Sequence, residues 1–348
     1  MGEELLAFAS DYMEGAHPRI LNRLVETNME HSSGYGTDEH TQMARNFIKR
    51  ACVCPNAQVQ ILTGGTQINA TVIDCLLKKW QGVISADSGH INVHEAGAIE
   101  FTGHKVLPLK SDDGKLSAQS IENYLKDFYN DGNWTHMVEP GMVYISQPTE
   151  MGTLYSLKEL SDISRVCRQR KIPLYVDGAR LAYALGSSEN DVGLEDLGRL
   201  ADAFYIGGTK CGALFGEALV LPDPELIPHC VTQIKQHGAL MAKGRIAGLQ
   251  FEEFFKDGLY FGIGKQADSY ADQIRKALED AGYQLYCKNS TNQVFFIIEN
   301  SKLASLEKKV MYSFWEKYDD EHTVIRFATS WATSQDDVET LLQIIKEL

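Results

Sequence analysis

Two short apolar segments of this 348-residue chain each end in a side chain that can take part in covalent or proton-transfer chemistry. Residues 174–176 lead directly into Asp177, and residues 203–206 lead through two glycines and a threonine into Lys210. Both segments have the length and apolar character of buried strands. A lysine can form a Schiff base with pyridoxal 5'-phosphate, and an aspartate can keep the pyridine nitrogen of that cofactor protonated. We therefore expect Asp177 and Lys210 to flank one cofactor site.

A glycine-rich turn follows a strand predicted at residues 59–62. Gly64, Gly65 and Thr66 begin a helix that is predicted to run through Leu77. Backbone N–H groups at a helix N-terminus bind anions, so the turn is a candidate phosphate site. A tight turn with a helix cap explains the same residues, and the local pattern leaves both interpretations open. The turn matches neither the Walker pattern nor Gly-x-Gly-x-x-Gly.

A histidine, His90, follows the next predicted strand, at residues 82–86. A histidine beyond a strand end can lie flat against a planar cofactor, and it can equally be a partly exposed loop residue. His94 and Glu95 suggest a metal site, but no further ligand follows them at a useful spacing. We therefore expect no metal.

Composition narrows the class of protein. The 33 basic and 47 acidic residues give a formal net charge of -14, which argues against a protein that binds duplex nucleic acid. The seven cysteines form no Cys-x-x-Cys pair and predict free thiols. The sequence contains no apolar run of roughly 18 residues and no secretory signal pattern. We expect a cytoplasmic protein that binds neither nucleic acid nor membrane.

Predicted strands and helices alternate from residue 59 to residue 220, which indicates an α/β fold with a mainly parallel sheet and functional residues at its carboxyl ends. From about residue 236 the pattern changes. Helices are predicted there at residues 239–256, 265–281, 303–316 and 335–346, and strands at 293–298 and 324–328. We predict an N-terminal segment (residues 1–30), a large domain (31–238) and a small α+β C-terminal domain (239–348).

Four short motifs are shared with one enzyme family. They are Asp177-Gly178-Ala179-Arg180-Leu181, Thr209-Lys210, Tyr35-Gly36, and His90-Ile91 with Glu95-Ala96-Gly97. Together they resemble the low-specificity L-threonine aldolases of the β-eliminating lyase group, which are pyridoxal phosphate enzymes of fold type I, like aspartate aminotransferase. The segment Ser146-Gln147-Pro148-Thr149-Glu150 departs from the family's Glu-Asn-Thr-His-Asn, and Thr209-Lys210-Cys211 departs from its Ser-Lys-Gly. The first departure lies where the substrate side chain is expected.

The resemblance implies a role for each motif residue. Lys210 would form the Schiff base, Asp177 would pair with the pyridine nitrogen, and His90 would stack on the ring. The residues implied to bind the cofactor are Lys210, Asp177, Gly65, Thr66, His90, Arg180 and Thr209, and those implied to bind the substrate are Ser10, Tyr35, Arg180 and Arg326. His136 lies 11 residues before Gln147, the spacing of a family histidine near the substrate hydroxyl, and joins Lys210 and His90 as a predicted catalytic residue.

The implied reaction is cleavage of L-threonine, allo-threonine or a related β-hydroxy-α-amino acid into glycine and an aldehyde. The base that removes the hydroxyl proton is left open among His90, His136 and an ordered water. Alternatives are β-elimination on another amino acid, an aldolase for aromatic β-hydroxy amino acids, and a non-catalytic pyridoxal- or phosphate-binding protein. The resemblance also implies a homodimer or homotetramer with shared active sites, and we expect the contact near residues 33–35 and 239–255.

Overall fold

The computed structural model describes residues 5–348. The first four residues, part of the predicted N-terminal segment and of the stretch compared with a secretory signal, lie outside the described residues. The strands are β1 (Leu6–Ala7), β2 (Gln58–Leu62), β3 (Gln81–Ala86), β4 (Val106–Leu109), β5 (Glu139–Ser146), β6 (Leu174–Asp177), β7 (Ala203–Gly207), β8 (Glu217–Leu221), β9 (Gln293–Glu299), β10 (Val310–Met311), β11 (Ser313–Lys317) and β12 (His322–Ala328). The helices are α1 (Pro18–Glu26), α2 (Glu39–Ala51), α3 (Gly65–Leu76), α4 (His90–Val93), α5 (Ala98–Phe101), α6 (Ala118–Asn130), α7 (Leu157–Arg170), α8 (Leu181–Gly186), α9 (Leu194–Leu200), α10 (Cys230–Gln236), α11 (Arg245–Lys256), α12 (Leu259–Asp280), α13 (Asn300–Leu306) and α14 (Gln335–Glu347).

Seven strands form the main sheet, in the order β2-β8-β7-β6-β5-β3-β4. Neighbours from β7 to β4 pair in parallel, whereas β8 is antiparallel to both β7 and β2. The predicted α/β class with a mainly parallel sheet is therefore confirmed. The carboxyl ends of β2, β3, β5, β6 and β7 meet the amino end of β8 at one edge of the sheet, where sites form in such folds.

The central strands are buried on both faces, and their sequences explain why. All four residues of β6 and all five of β7 are buried, and both strands consist almost entirely of apolar and aromatic residues. A parallel sheet covered by helices on both faces requires this composition. Local polar residues cap several of the helices, as at α7, where Ser156 and Glu159 form a reciprocal capping box.

A second, three-stranded antiparallel sheet has the order β11-β12-β9. Its core contains Phe8, Phe296 and Phe327, together with apolar residues of α12 and α14. The helix predicted at residues 303–316 is wrong beyond Leu306, where α13 ends, because the chain then forms β10 and β11. Strand pairing of β11 with β12 outweighs the local helical pattern in this segment.

The helix α11 and the first half of α12 pack in the core of the large sheet. Phe251, Phe254 and Tyr260 belong to the same apolar cluster as the strands of the main sheet, although we assigned them to the small domain. The close approach of α12 to α8 depends on Gly264, where an added Cβ would lie 1.8 Å from the carbonyl oxygen of Ala182. The domain division at residue 239 stays a prediction. No helix within residues 5–348 is long and apolar enough to cross a membrane.

The stability of the protein is expected to depend on pH through one buried carboxyl group in this region, that of Asp268. Asp268, on α12, is 3% exposed, and neither of its carboxyl oxygens has a hydrogen-bond partner in the described chain. Burial raises the pKa of Asp268 to about 9, against the attraction of Arg275. A carboxyl with a raised pKa is neutral in the folded protein, so it weakens folding progressively as pH rises from about 4 to about 9.

We expect Asp268→Asn to reduce this pH dependence. The difference in free energy of unfolding between the variant and the unchanged protein should shift in favour of the variant by roughly 2 kcal/mol when the pH rises from about 6 to about 8. Urea unfolding of the cofactor-free protein at both pH values measures the difference. Asp272→Asn, which changes a more exposed carboxylate one turn along the same helix, serves as the control. Equal pH slopes for Asp268→Asn and the unchanged protein would contradict the prediction.

Candidate active site

A cavity of about 310 Å³ opens at the edge of the main sheet where the strand ends meet. It brings together residues that lie more than 140 positions apart in the sequence. Seven residues predicted to bind a cofactor line it, namely Gly65, Thr66, His90, Asp177, Arg180, Thr209 and Lys210. The arrangement follows from the parallel strands, because each residue stands just beyond the carboxyl end of its strand.

Lys210 lies on a single 3-10 turn, Thr209–Cys211, directly after β7. Burial lowers the pKa of the Lys210 amine, and the positive charge of Arg180 lowers it further, against the opposing effect of Asp11 and Asp177. Its Nζ lies 5.9 Å from the ring centroid of Tyr12. A lysine that loses its proton easily is a better nucleophile toward a carbonyl group.

Asp177, at the end of β6, is held by four hydrogen-bond donors. The hydroxyls of Tyr144 and Tyr205 donate over 2.6 and 2.5 Å, Asn69 Nδ2 donates over 3.0 Å, and the backbone N–H of Ala179 donates over 2.9 Å. The next residue must be a glycine, because a Cβ on Gly178 would lie 2.0 Å from the carbonyl oxygen of Tyr205. The carboxylate is therefore fixed in position at the cavity wall, where a cationic ring nitrogen could pair with it.

His90 begins the short helix α4 beyond β3 and is oriented by Glu95. His90 Nδ1 lies 2.8 Å from Glu95 Oε1, which also accepts from Asn69 Nδ2 over 2.8 Å. Because Asn69 bonds both Glu95 and Asp177, these side chains form one connected network. The carboxylate favours the tautomer with its proton on Nδ1 and leaves the ring face and Nε2 for other contacts.

The turn before α3 has the features of an anion site. The helix begins at Gly65, and its N-cap residue Gly64 provides no side-chain acceptor for the first N–H groups. A Cβ on Gly65 would lie 3.2 Å from the Tyr205 hydroxyl, so a glycine keeps this wall open. Free N–H groups and the Thr66 side chain beside the cavity fit the phosphate group of pyridoxal phosphate.

Glu217, the first residue of β8, faces the same cavity from behind Lys210. Its Oε2 accepts from the backbone N–H of Gly208 over 2.9 Å, and its Oε1 accepts from the Thr209 hydroxyl over 2.6 Å. Burial raises the pKa of Glu217 to about 7, although both hydrogen bonds and Lys210 oppose the shift. Thr209 lines the cavity as predicted, but its hydroxyl is directed to Glu217.

Two arginines lie near the N-terminal segment of the chain. Arg180 donates from Nε and Nη2 to the two carboxylate oxygens of Asp11, over 2.6 and 3.0 Å. Burial would raise the pKa of Asp11, but the positive charges of Arg180 and Lys210 lower it to about 2. Ser10, the residue before Asp11, is half-buried in this segment.

Arg326, on β12, lies behind the segment that carries Asp11. It donates to Gln293 Oε1, to the carbonyl of Ala9 and to the Ser313 hydroxyl, and its buried Nε has no partner within residues 5–348. Burial lowers the pKa of Arg326 to about 10. The cavity lining does not include Arg326.

Two more predicted site residues, like Ser10 and Arg326, are not among the residues that line the cavity. His136 ends the 3-10 turn Trp134–His136, which precedes β5, so it stands at the opposite end of this eight-residue strand from the cavity, roughly 25 Å away. A catalytic role for His136 in the site of its own chain does not fit this position. Tyr35 is half exposed, and its ring centroid lies 4.7 Å from the ammonium of Lys235 rather than at the cavity.

Several cavity residues were missed by sequence reasoning. Tyr12, Glu150, Tyr205 and Glu217 line the cavity, and Asp11 pairs with Arg180. The position of Glu150 was detectable in principle, since it follows the predicted strand that ends at Ser146. Cys211 is not a reactive thiol, because burial raises its pKa well above the usual range.

The fold and the residues of this cavity are those of a pyridoxal phosphate-dependent lyase, and comparison with known proteins gives the same class. The chain belongs to the β-eliminating lyase family, whose pattern matches residues 7–301. The predicted family is therefore confirmed. A curated relative, the low-specificity L-threonine aldolase of Pseudomonas aeruginosa, is 27% identical over all of this chain and 98% of its own length.

Comparison with solved structures finds a relative with higher sequence identity. Threonine aldolase from Leishmania major is 42% identical, with 98% of each chain covered and a TM-score of 0.95. Aspartate aminotransferase from Thermus thermophilus is 13% identical and has a TM-score of 0.72 over 99% of this chain and 91% of its own, which shows a shared fold. The chain thus has the fold-type I architecture expected from its sequence.

Proposed function

We propose that the protein is a pyridoxal 5'-phosphate-dependent aldolase that cleaves L-threonine, L-allo-threonine or a related β-hydroxy-α-amino acid into glycine and an aldehyde. One observation carries the proposal most strongly. A half-buried lysine with a lowered pKa, Lys210, and a hydrogen-bonded carboxylate, Asp177, face one cavity beside a helix N-terminus without a side-chain cap. The names of the related proteins, which describe threonine aldolases, support the same reaction.

The residues around the cavity would hold the cofactor at three points. Gly65 and Thr66 would bind its phosphate, Asp177 would pair with the ring nitrogen, and His90, oriented by Glu95, would lie against the ring. When bound through Lys210, the cofactor supplies an electron-accepting ring that stabilises negative charge on the substrate's Cα. Fixed partners at each point reduce the reorganisation needed during reaction.

The arginines would orient the substrate through its carboxylate. Asp11 fixes Arg180 through its Nε and Nη2 atoms. In the part of the chain that the structure describes, Arg326 Nε has no hydrogen-bond partner. A carboxylate held by arginine can set which bond of Cα stands perpendicular to the cofactor ring. For an aldolase this must be the bond from Cα to Cβ.

The pKa of Glu217 predicts how cofactor binding depends on pH. In the main sheet Glu217 pairs with Leu62, two residues before the proposed phosphate turn begins at Gly64. With a pKa of about 7 in the cofactor-free protein, Glu217 becomes increasingly anionic above that pH and then repels the phosphate. We expect the dissociation constant for pyridoxal phosphate to rise about tenfold between pH 6 and pH 8.5.

Equilibrium dialysis of the cofactor against Glu217→Gln measures this effect. The variant should show a much smaller change in dissociation constant over the same pH range, because its side chain stays neutral. Glu225→Gln, which alters an exposed glutamate, should behave like the unchanged protein. An identical pH dependence in Glu217→Gln and in the unchanged protein would refute a role for Glu217.

A substrate panel tests the proposed reaction. Purified protein with added cofactor is assayed against L-threonine, L-allo-threonine, phenylserine and serine, and the products are identified. Aldehyde and glycine from the first three support the aldolase, and the relative rates rank the substrates. Release of ammonia and an oxo acid supports β-elimination, the second candidate within this family. If the protein gains no absorbance band when pyridoxal phosphate is added, the proposal fails.

We also propose that the protein forms a homodimer or homotetramer with shared sites, in the cytoplasm. Exposed apolar side chains on and beyond α1, among them Met29 at 82% exposure, lie near the loop of the half-exposed Tyr35. In such an assembly Tyr35 would contact the cavity of the partner subunit. The segment 239–255 is a weaker candidate for the contact, because the apolar residues of α11 are buried within their own chain. Light scattering of the purified protein measures the assembly.

A further inference from the structure

A carboxyl group on the cavity wall has no role in the contacts described so far. Glu150 follows β5 by four residues, lies in the segment that departs from the family pattern, and lines the cavity. Its Oε1 accepts from the Ser146 hydroxyl over 2.7 Å and from the backbone N–H of His90 over 3.1 Å. Both hydrogen bonds reach the same oxygen, so Oε2 is available for a further partner.

We propose that the Glu150 carboxylate is the catalytic base that accepts the proton of the substrate's β-hydroxyl group. The proposal rests on the function proposed above and specifies the step that the sequence left open. As the O–H bond breaks, its proton moves to Glu150, a C=O bond forms at Cβ, and the Cα–Cβ bond breaks. The electron pair of the broken bond remains on Cα, beside the bound cofactor. Cα then takes a proton from water to give glycine, and Glu150 releases the proton it accepted to water. Protons and electrons therefore balance without an added reactant.

The other basic groups of the cavity are already engaged. Asp177 accepts four hydrogen bonds, and Glu217 holds the turn before Lys210 with both of its oxygens. His90 uses Nδ1 to bond Glu95, and its ring is the proposed cover of the cofactor. Lys210 is the residue proposed to form the Schiff base with the cofactor. Glu150 is thus the carboxylate with a free oxygen at the cavity.

The position of Glu150 in the sheet suits a substrate contact. The order β2-β8-β7-β6-β5 places the proposed phosphate turn, after β2, on one side of Lys210 and Asp177 and places Glu150, after β5, on the other. The reacting part of the substrate would bind next to Lys210, between the two sides of the cavity. A base on that side can reach the hydroxyl within hydrogen-bond distance.

The surroundings of Glu150 raise its pKa and so make its carboxylate more basic. Burial raises the pKa of Glu150, the Ser146 hydrogen bond lowers it, and the negative charge of Asp177 raises it again. The other titratable groups that face it are His90 on α4, Tyr144 on β5 and Tyr155 after β5. A carboxyl with a raised pKa is a stronger base than an ordinary glutamate once it is ionised.

The test separates hydroxyl deprotonation from the other steps by comparing two reactions. Cleavage of L-threonine needs a base for the hydroxyl, whereas exchange of the α-hydrogen of glycine with deuterated water does not. Glu150→Gln should lower kcat for threonine cleavage by about 100-fold or more and leave glycine exchange within about threefold. The absorbance spectrum of the bound cofactor should stay unchanged.

Two further variants separate a catalytic role from a structural one. Glu95→Gln removes a buried carboxylate that orients His90, so it should lower both reactions by a similar factor. Ser146→Ala removes a hydrogen bond that lowers the pKa of Glu150 and should move the acidic limb of the kcat–pH profile to higher pH. Glu150→Asp, which keeps a carboxylate, should retain that acidic limb, with a lower kcat.

The thermal stability of the cofactor-free protein tests the raised pKa of Glu150 without cofactor or turnover. In the cofactor-free protein the raised pKa of Glu150 weakens folding as pH rises above about 4.5, so Glu150→Gln should show a flatter dependence of thermal stability on pH. The proposal is overturned if Glu150→Gln keeps the original kcat, if both reactions fall by the same factor, or if the cofactor spectrum changes. Absence of aldehyde from the unchanged protein would instead overturn the proposed function, and this proposal with it.

Discussion

Lys210→Ala is expected to remove the absorbance band of the Schiff base and to lower threonine cleavage by about a thousandfold or more. Lys210 follows β7, its lowered pKa makes it a nucleophile, and alanine cannot form the covalent bond. The phosphate turn and Asp177 remain, so the variant should still bind the cofactor non-covalently. Absorbance spectroscopy before and after dialysis, together with kcat, measures both effects.

Lys276→Ala provides the control for this substitution. Lys276 lies on the exposed face of α12, where it pairs with Asp280 one turn away. Its removal should leave the absorbance band and the turnover unchanged. A Lys210→Ala protein with the original band and turnover would show that another residue holds the cofactor.

Asp177→Asn is expected to lower kcat by about 100-fold or more while the protein still binds the cofactor. The substitution preserves the shape of the side chain and removes the negative charge that keeps the ring nitrogen protonated. Two tyrosine hydroxyls donate to the present carboxylate, and an amide can accept in place of only one of its oxygens. The electron-accepting capacity of the ring should fall because its nitrogen loses its anionic partner.

Tyr205→Phe separates the charge of Asp177 from its position. This variant removes one donor to the carboxylate and keeps the charge, so we expect a loss in kcat of about tenfold or less. Steady-state kinetics with the stoichiometry of bound cofactor distinguish slower chemistry from lost binding. If Asp177→Asn turns over at the original rate, Asp177 does not act on the ring nitrogen.

The parts of the site that could be predicted from the sequence follow the ends of buried strands. Asp177 and Lys210 each follow a short apolar run, and Gly65 follows the strand before the glycine turn. Because parallel strands place their carboxyl ends at one edge, strand prediction alone brings these residues together. The structure places all three at the same cavity.

The parts that could not be predicted depend on contacts across the chain. Glu217 reaches the cavity because β8 is antiparallel, and the direction of a strand is not visible in its own residues. Asp11 pairs with Arg180 from 169 positions away. The 11 residues before Gln147 lead back along β5, so His136 stands at the opposite end of the sheet from the cavity of its own chain.

The identity of the products formed from L-threonine tests the central claim most directly. Purified protein is supplied with pyridoxal phosphate and L-threonine, and glycine, acetaldehyde, 2-oxobutanoate and ammonia are measured in the same reaction. We predict glycine and acetaldehyde in equal amounts, formed only when the cofactor is present. Formation of 2-oxobutanoate and ammonia without glycine, or glycine formed at the same rate without the cofactor, would contradict a pyridoxal phosphate-dependent aldolase.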